Sequence, residues 1–137
     1  MKLRLNNLQK AFARLTFSKA TLEKTFKNGE HNKDEILLYQ DSVIQRFEFC
    51  FELLWKTLKD VLEYQHGIVA TSPKKIFHEC LAVDITNEEE TAALLDMSES
   101  RNLTTHDYNA SMAQEISNKI CLTYYRTMQT IINRLAI

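Results

Sequence analysis

Two glycines and one proline in 137 residues leave this chain almost nothing from which to build tight turns. Hairpin loops lean on Gly, Asn-Gly and Pro, whose backbone angles most L residues avoid. A strand-rich domain needs a turn signal about every 8–12 residues, whereas helices joined by short connections need far fewer. The chain is therefore expected to be all-α, in a single domain spanning 1–137. The expected architecture is an up-and-down four-helix-type bundle, with about five helices counting a short one.

Apolar periodicity fits that expectation. Leu5, Leu8, Phe12, Leu15, Leu22 and Phe26 mark one stripe at three-and-four spacing, and Asn28-Gly29 supplies a left-handed stop. Asn32 with Glu35 opens the longest helix, which ends near His66-Gly67. Its middle is apolar on two faces: Val43, Phe47, Cys50, Leu54, Leu58 and Val61 on one, Ile44, Phe51, Trp55 and Leu62 on the other. Such a helix is either central in its bundle or buried again in a dimer, and in so small a domain the dimer is the favoured reading. Glu48 and Glu52 lie on this helix, where salt bridges to Arg46, Lys56 or Lys59 are a commoner role than paired catalysis. Ser72-Pro73 starts a short helix through Ile76, Phe77, Cys80 and Leu81. Thr86 with Glu89 reads as a capping box opening a fourth helix through Ala92, Ala93, Leu94, Leu95 and Met97. Asn109 caps the last helix, whose stripe runs from Met112 or Ala113 through Ile116, Ile120, Tyr124, Thr127, Ile131 and Leu135.

Lys+Arg 17 against Asp+Glu 18 gives a net charge of −1, so any contact with RNA has to come from a local patch. Lys74 and Lys75, in the first turn of the short helix where they oppose its dipole, are the candidates for such a contact. Cys50, Cys80 and Cys121 are widely spaced, without C-x-x-C or Cys/His ligand spacing. They read as reduced cysteines packed on helix faces, and no metal or cofactor is expected. No stretch has the uninterrupted apolar length of a membrane span. Polar residues break up the N-terminus before a signal peptide can form. A cytoplasmic protein without a membrane partner is expected.

One stretch concentrates chemistry: Ser98-Glu99-Ser100-Arg101-Asn102-Leu103-Thr104-Thr105-His106-Asp107-Tyr108. Arginine presents a permanent planar cation to phosphate, histidine titrates near neutrality, and tyrosine offers a hydroxyl. On one straight helix Arg101 and His106 would sit about 140° apart and about 7.5 Å along the axis, too far round to share a phosphate. Either the helix ends between them or the site is composite, with groups from two chains meeting at a two-fold axis. Thr104, Thr105, Asp107 and Asn109 favour caps and turns, so the helix is expected to end near Thr105, with His106 and Tyr108 in the following turn. The plain alternative makes Arg101 a bridge to Glu99 or Asp96, His106 a cap and Tyr108 a packing anchor.

Arg101-Asn102-Leu103-Thr104-Thr105-His106-Asp107-Tyr108 resembles the Arg-polar-x3-His signature of the HEPN superfamily, in the R-x4-H-x-Y form of HepT-type toxins. Phe47-Glu48-Phe49-Cys50-Phe51-Glu52-Leu53-Leu54-Trp55-Lys56-Thr57-Leu58-Lys59-Asp60 and Ser72-Pro73-Lys74-Lys75 resemble the nucleotidyltransferase substrate-binding protein branch. The resemblance covers nearly the whole chain. It implies a helical homodimer acting with a minimal nucleotidyltransferase such as MntA. In such pairs the HEPN protein is a metal-independent ribonuclease toxin, neutralised when the transferase adds AMP to the motif tyrosine. Carried onto this sequence, Arg101, Asn102 and His106 would be catalytic toward RNA and Tyr108 the modified residue. Other members of the branch are known as substrate-binding subunits of the transferase, which leaves a non-catalytic role as the alternative.

Overall fold

The computed structural model describes residues 1–27, 29, 32–104 and 109–137, with 102–104 described by their backbone alone. Six α-helices account for nearly all of it: α1 (Lys2–Lys27), α2 (Lys33–His66), α3 (Pro73–Ala82), α4 (Glu88–Thr104), α5 (Ala110–Lys119) and α6 (Tyr125–Leu135). A single π turn, Ile120–Tyr124, joins α5 to α6 with right-handed helical backbone at both ends, so the two form one interrupted rod. Counted that way the bundle has five rods, as the stripes and cap signals imply, and no strand occurs among the described residues.

The helix boundaries follow from local chemistry. Asn32 is extended and its Oδ1 accepts from the Asp34 and Glu35 amides at 2.9 and 3.3 Å, which starts α2. Gly67, at φ +65°, ends it: the amides of Gly67 and Ile68 turn back to the carbonyls of Glu63 and Leu62. Ser72 accepts from the Lys75 amide with Pro73 in the first helical position. The start of α4 differs from the expected Thr86/Glu89 pairing. Asn87 and Glu90 cap each other there, at 2.7 and 3.0 Å, and Thr86 instead turns inward to bond Thr91 at 2.8 Å.

Cross-links at Arg4–Asp60 and Ser18–Ser42 show α1 and α2 running antiparallel. Phe47 stacks on Tyr124, Phe12 on Tyr125, and Arg134 pairs with Glu90, which sets α4 antiparallel to the last rod and completes the up-and-down order. Both apolar faces of α2 are buried within this one chain except at the half-buried Trp55, against α1 on one side and α3 and α5 on the other. The two-sided stripe therefore marks the central helix of the bundle, and its burial needs no dimer. Phe26 proves 42% exposed, while Ala11 and Ser18 fill the α1 stripe. On the last rod Met128, in place of Thr127, is the fully buried residue. The π turn is the reason: its wider i to i+5 loop absorbs a residue and shifts the phase of every position after it.

Candidate functional site

Arg101 lies on the last described turn of α4, half-exposed. Its Nη1 is 2.6 Å from Oε2 of Glu52, midway along α2. That carboxylate also accepts from the indole Nε1 of Trp55 at 3.1 Å and lies 3.5 Å from the Lys56 ammonium. Lys56 in turn stands 5.7 Å from the centre of the Trp55 ring. The sequence offers Lys56 among the salt-bridge partners of Glu52 and, as the plain alternative for Arg101, a bridge to Glu99 or Asp96. The first is present, and Arg101 pairs with Glu52, forty-nine positions away in the chain. Glu52 and Trp55 are thus the residues that reasoning from the motif missed. The i, i+3 spacing that lets the indole and the carboxylate meet was visible in the sequence, but the approach of α4 was not.

Beneath Arg101 the end of α4 is anchored by a polar network. Ser100 is buried and its hydroxyl lies 2.7 Å from the Tyr124 phenol. Tyr124 donates to Asp96, one turn back on α4, so the serine donates to the phenolic oxygen. Burial, then the hydrogen bond to Asp96, pushes the Tyr124 phenol well above its ordinary range and keeps it a neutral donor. Tyr124 occupies the π turn and stacks on Phe47 with centroids 5.5 Å apart, linking α2, α4 and the last rod directly under the candidate cation.

The remaining candidates are partly outside this frame. The side chain of Asn102, and His106 and Tyr108 altogether, lie outside the described residues. α4 is described as far as Thr104, and Asn109, accepting from the Met112 amide at 2.9 Å, starts α5 as expected; the expected helix end near Thr105 and the turn after it lie outside the described residues. Lys74 and Lys75 are exposed on the first turn of α3, and the structure does not join them to Arg101 or Glu52. Cys50 and Cys80 are buried and free, their thiols pushed up to about 12 chiefly by burial, and Cys121 likewise up to about 11. These are packing residues, not nucleophiles. No described helix is long and apolar enough to cross a membrane.

The family model described as "Nucleotidyltransferase substrate binding protein like" matches residues 3–137. The chain belongs to that family. No curated protein matches this family member in sequence. Among solved structures it is similar to the crystal structure of a Thermus thermophilus protein, at 30% identity and TM-score 0.71, over 90% of this chain and 99% of that one. It shares its fold, at 15% identity and TM-score 0.75, with a chain of a toxin–antitoxin complex solved with AMP-PNP, over 97% of each. A third match, at 16% identity and TM-score 0.70 over 94% of this chain and 96% of the other, is to a tri-AMPylated Shewanella oneidensis HEPN toxin in complex with MNT antitoxin. The substrate-binding protein family and the HEPN toxin therefore share one bundle.

Proposed function

We propose that this protein is a HEPN-type, metal-independent endoribonuclease toxin. It acts in the cytoplasm as a homodimer and is neutralised by a partner nucleotidyltransferase that adds AMP to Tyr108. The observation that carries the reading is the position of Arg101: a half-exposed cation at the end of α4, braced from below by Ser100, Tyr124 and Asp96. The Arg101-x4-His106-x-Tyr108 spacing supports it, as does a fold shared with a HEPN toxin that is AMPylated in its antitoxin complex.

RNA brings its own nucleophile, so the protein has only to move protons and balance charge. In this reading His106 removes the 2′-hydroxyl proton. The 2′ oxygen attacks the adjacent phosphorus and the bond to the 5′ oxygen breaks. The products are a 2′,3′-cyclic phosphate and a 5′-hydroxyl, protonated by the histidine of the facing motif copy or by water. Arg101 binds the non-bridging oxygens, more strongly as negative charge gathers on them. Asn102 orients His106 or the phosphate. AMP on Tyr108 sets bulk and negative charge two residues from His106 and repels the substrate.

Induction of the wild type in a bacterial host should arrest growth and yield RNA fragments ending in cyclic phosphate, while His106→Ala should do neither. A wild type that leaves RNA intact sinks the ribonuclease. A second reading, a non-catalytic substrate-binding subunit of the transferase, is favoured by one contact: Arg101 is already engaged by Glu52. It predicts no cleavage at any pH, whereas a catalytic His106 predicts a rate that falls on one side of about pH 6.5.

A further inference from the structure

Between α1 and α2, Arg14 and Arg46 line an open groove of about 350 Å³ that continues into a second hollow of about 210 Å³ lined by Lys10 and Arg14. Ala11, Arg14 and Phe49 line both, so the two form one track. Its depth comes from Ala11, whose small methyl leaves space between the helices at this level. Its wall is Phe49, a large apolar ring left 61% exposed beside cations. Arg46 Nη1 donates to the Arg14 carbonyl at 3.0 Å, which fixes the guanidinium at the rim with its other N–H groups unspent among the described residues. None of the three cations has a carboxylate partner among the described residues, in a chain whose net charge is −1.

We propose that this groove binds single-stranded RNA, with Lys10, Arg14 and Arg46 on successive phosphates and Phe49 stacked against a base; it rests on the ribonuclease reading for its purpose. The chemistry fits a strand in three respects. Lys10 and Arg14 are one helical turn apart on α1, about 6 Å along its axis, a spacing that lets each take its own phosphate. An aromatic face among unpaired cations is the arrangement that holds single strands without reading sequence. The track also leads somewhere: Phe49 and Glu52 are three positions apart on the same face of α2, and Glu52 holds Arg101. A strand lying in the groove is thus delivered to the candidate phosphate-binding cation. This locates the basic patch away from Lys74 and Lys75.

The test is fluorescence anisotropy with a labelled single-stranded oligoribonucleotide of mixed sequence, on full-length His106→Ala to prevent cleavage. Against that parent, Lys10→Gln/Arg14→Gln should weaken binding by about tenfold or more and lower the slope of log affinity against log salt by about 1.4. Phe49→Ala should weaken binding at least about fivefold with the slope unchanged, and Lys74→Gln/Lys75→Gln should bind as the parent does. All of these positions are solvent-facing, and unchanged thermal unfolding confirms that the variants fold. Unaltered binding by the groove variants, or no binding by the parent, overturns the proposal. So does a change in oligomeric state on Phe49→Ala, which would make the groove a protein interface. Failure of the two readings separates cleanly. Groove-dependent binding without cleavage by the wild type removes the ribonuclease and keeps the groove. Cleavage with an unaltered KM in the groove variants does the reverse.

Discussion

Glu52 is the residue whose role changes most between sequence and structure. A carboxylate on a long helix four positions before a lysine is ordinarily a surface bridge, and Lys56 does lie 3.5 Å away. The shorter contact is with Arg101, at 2.6 Å. Any phosphate that Arg101 binds has to displace this carboxylate or share the guanidinium with it. Glu52→Gln keeps an acceptor for the Trp55 indole and removes the competing charge. It should lower KM for RNA by about threefold, the scale of a half-exposed ion pair, with kcat little altered; a raised KM would show that Glu52 positions Arg101 for the substrate. The Arg101-x4-His106-x-Tyr108 spacing itself could be read from the sequence, because it is a local feature. The Glu52 partnership could not, since it depends on how α4 crosses α2, and that is set by packing far from either residue.

At the level of the elements, the caps were legible and the interruption was not. Asn32, Ser72 and Asn109 start helices by bonding amides two or three residues ahead, a local event that the sequence states outright. The α4 start was misplaced by one residue because Thr86-Asn87 and Glu89-Glu90 offer two capping pairs in adjacent registers. Arg134 decides between them by forking onto Glu90 at 2.7 and 2.9 Å and bonding the Ile85 carbonyl. That fork holds the Glu90 carboxyl below its ordinary value near 4.5. A depressed folded-state pKa means that the unfolded chain binds the proton more readily. The stabilisation is therefore intact above the unfolded value and is lost as pH falls from about 4.5 through the folded one. Glu90→Gln should cost about 1 kcal/mol at neutral pH, with the gap to wild type closing in acid, as urea titrations at several pH values would show. The π turn left no such local sign, because it arises from tertiary demand: Tyr124 has to reach Ser100 and Asp96 while Ile116 and Met128 stay in the core. Tyr124→Phe keeps the ring on Phe47 and removes only the hydroxyl. It should cost about 1–2 kcal/mol, lowering Tm by about 3–8 °C; an unchanged Tm would mean that the network does not anchor α4.

For the whole molecule, the question is whether one chain holds a complete site. The central helix spends both apolar faces inside its own bundle, so a dimer has to be built from other surfaces. The reason to expect one lies in the sequence: Arg101 and His106 are five positions apart. On one continuous helix that spacing would set the two side chains about 140° apart, and a two-fold axis would let a phosphate on Arg101 meet the histidine of a second copy instead. Complementation tests this directly. Chains carrying Arg101→Ala and chains carrying His106→Ala should each be inactive alone. Refolded together in equal amounts, about half of the dimers are mixed, and a composite arrangement gives each mixed dimer one intact site of two. The mixture should then recover about a quarter of the wild-type cleavage rate. With both groups drawn from the same chain, every site in the mixture carries a defect and no activity returns. Sedimentation of the wild type supplies the companion result: a monomer at the assay concentration would rule out the composite site, whatever the mixture does.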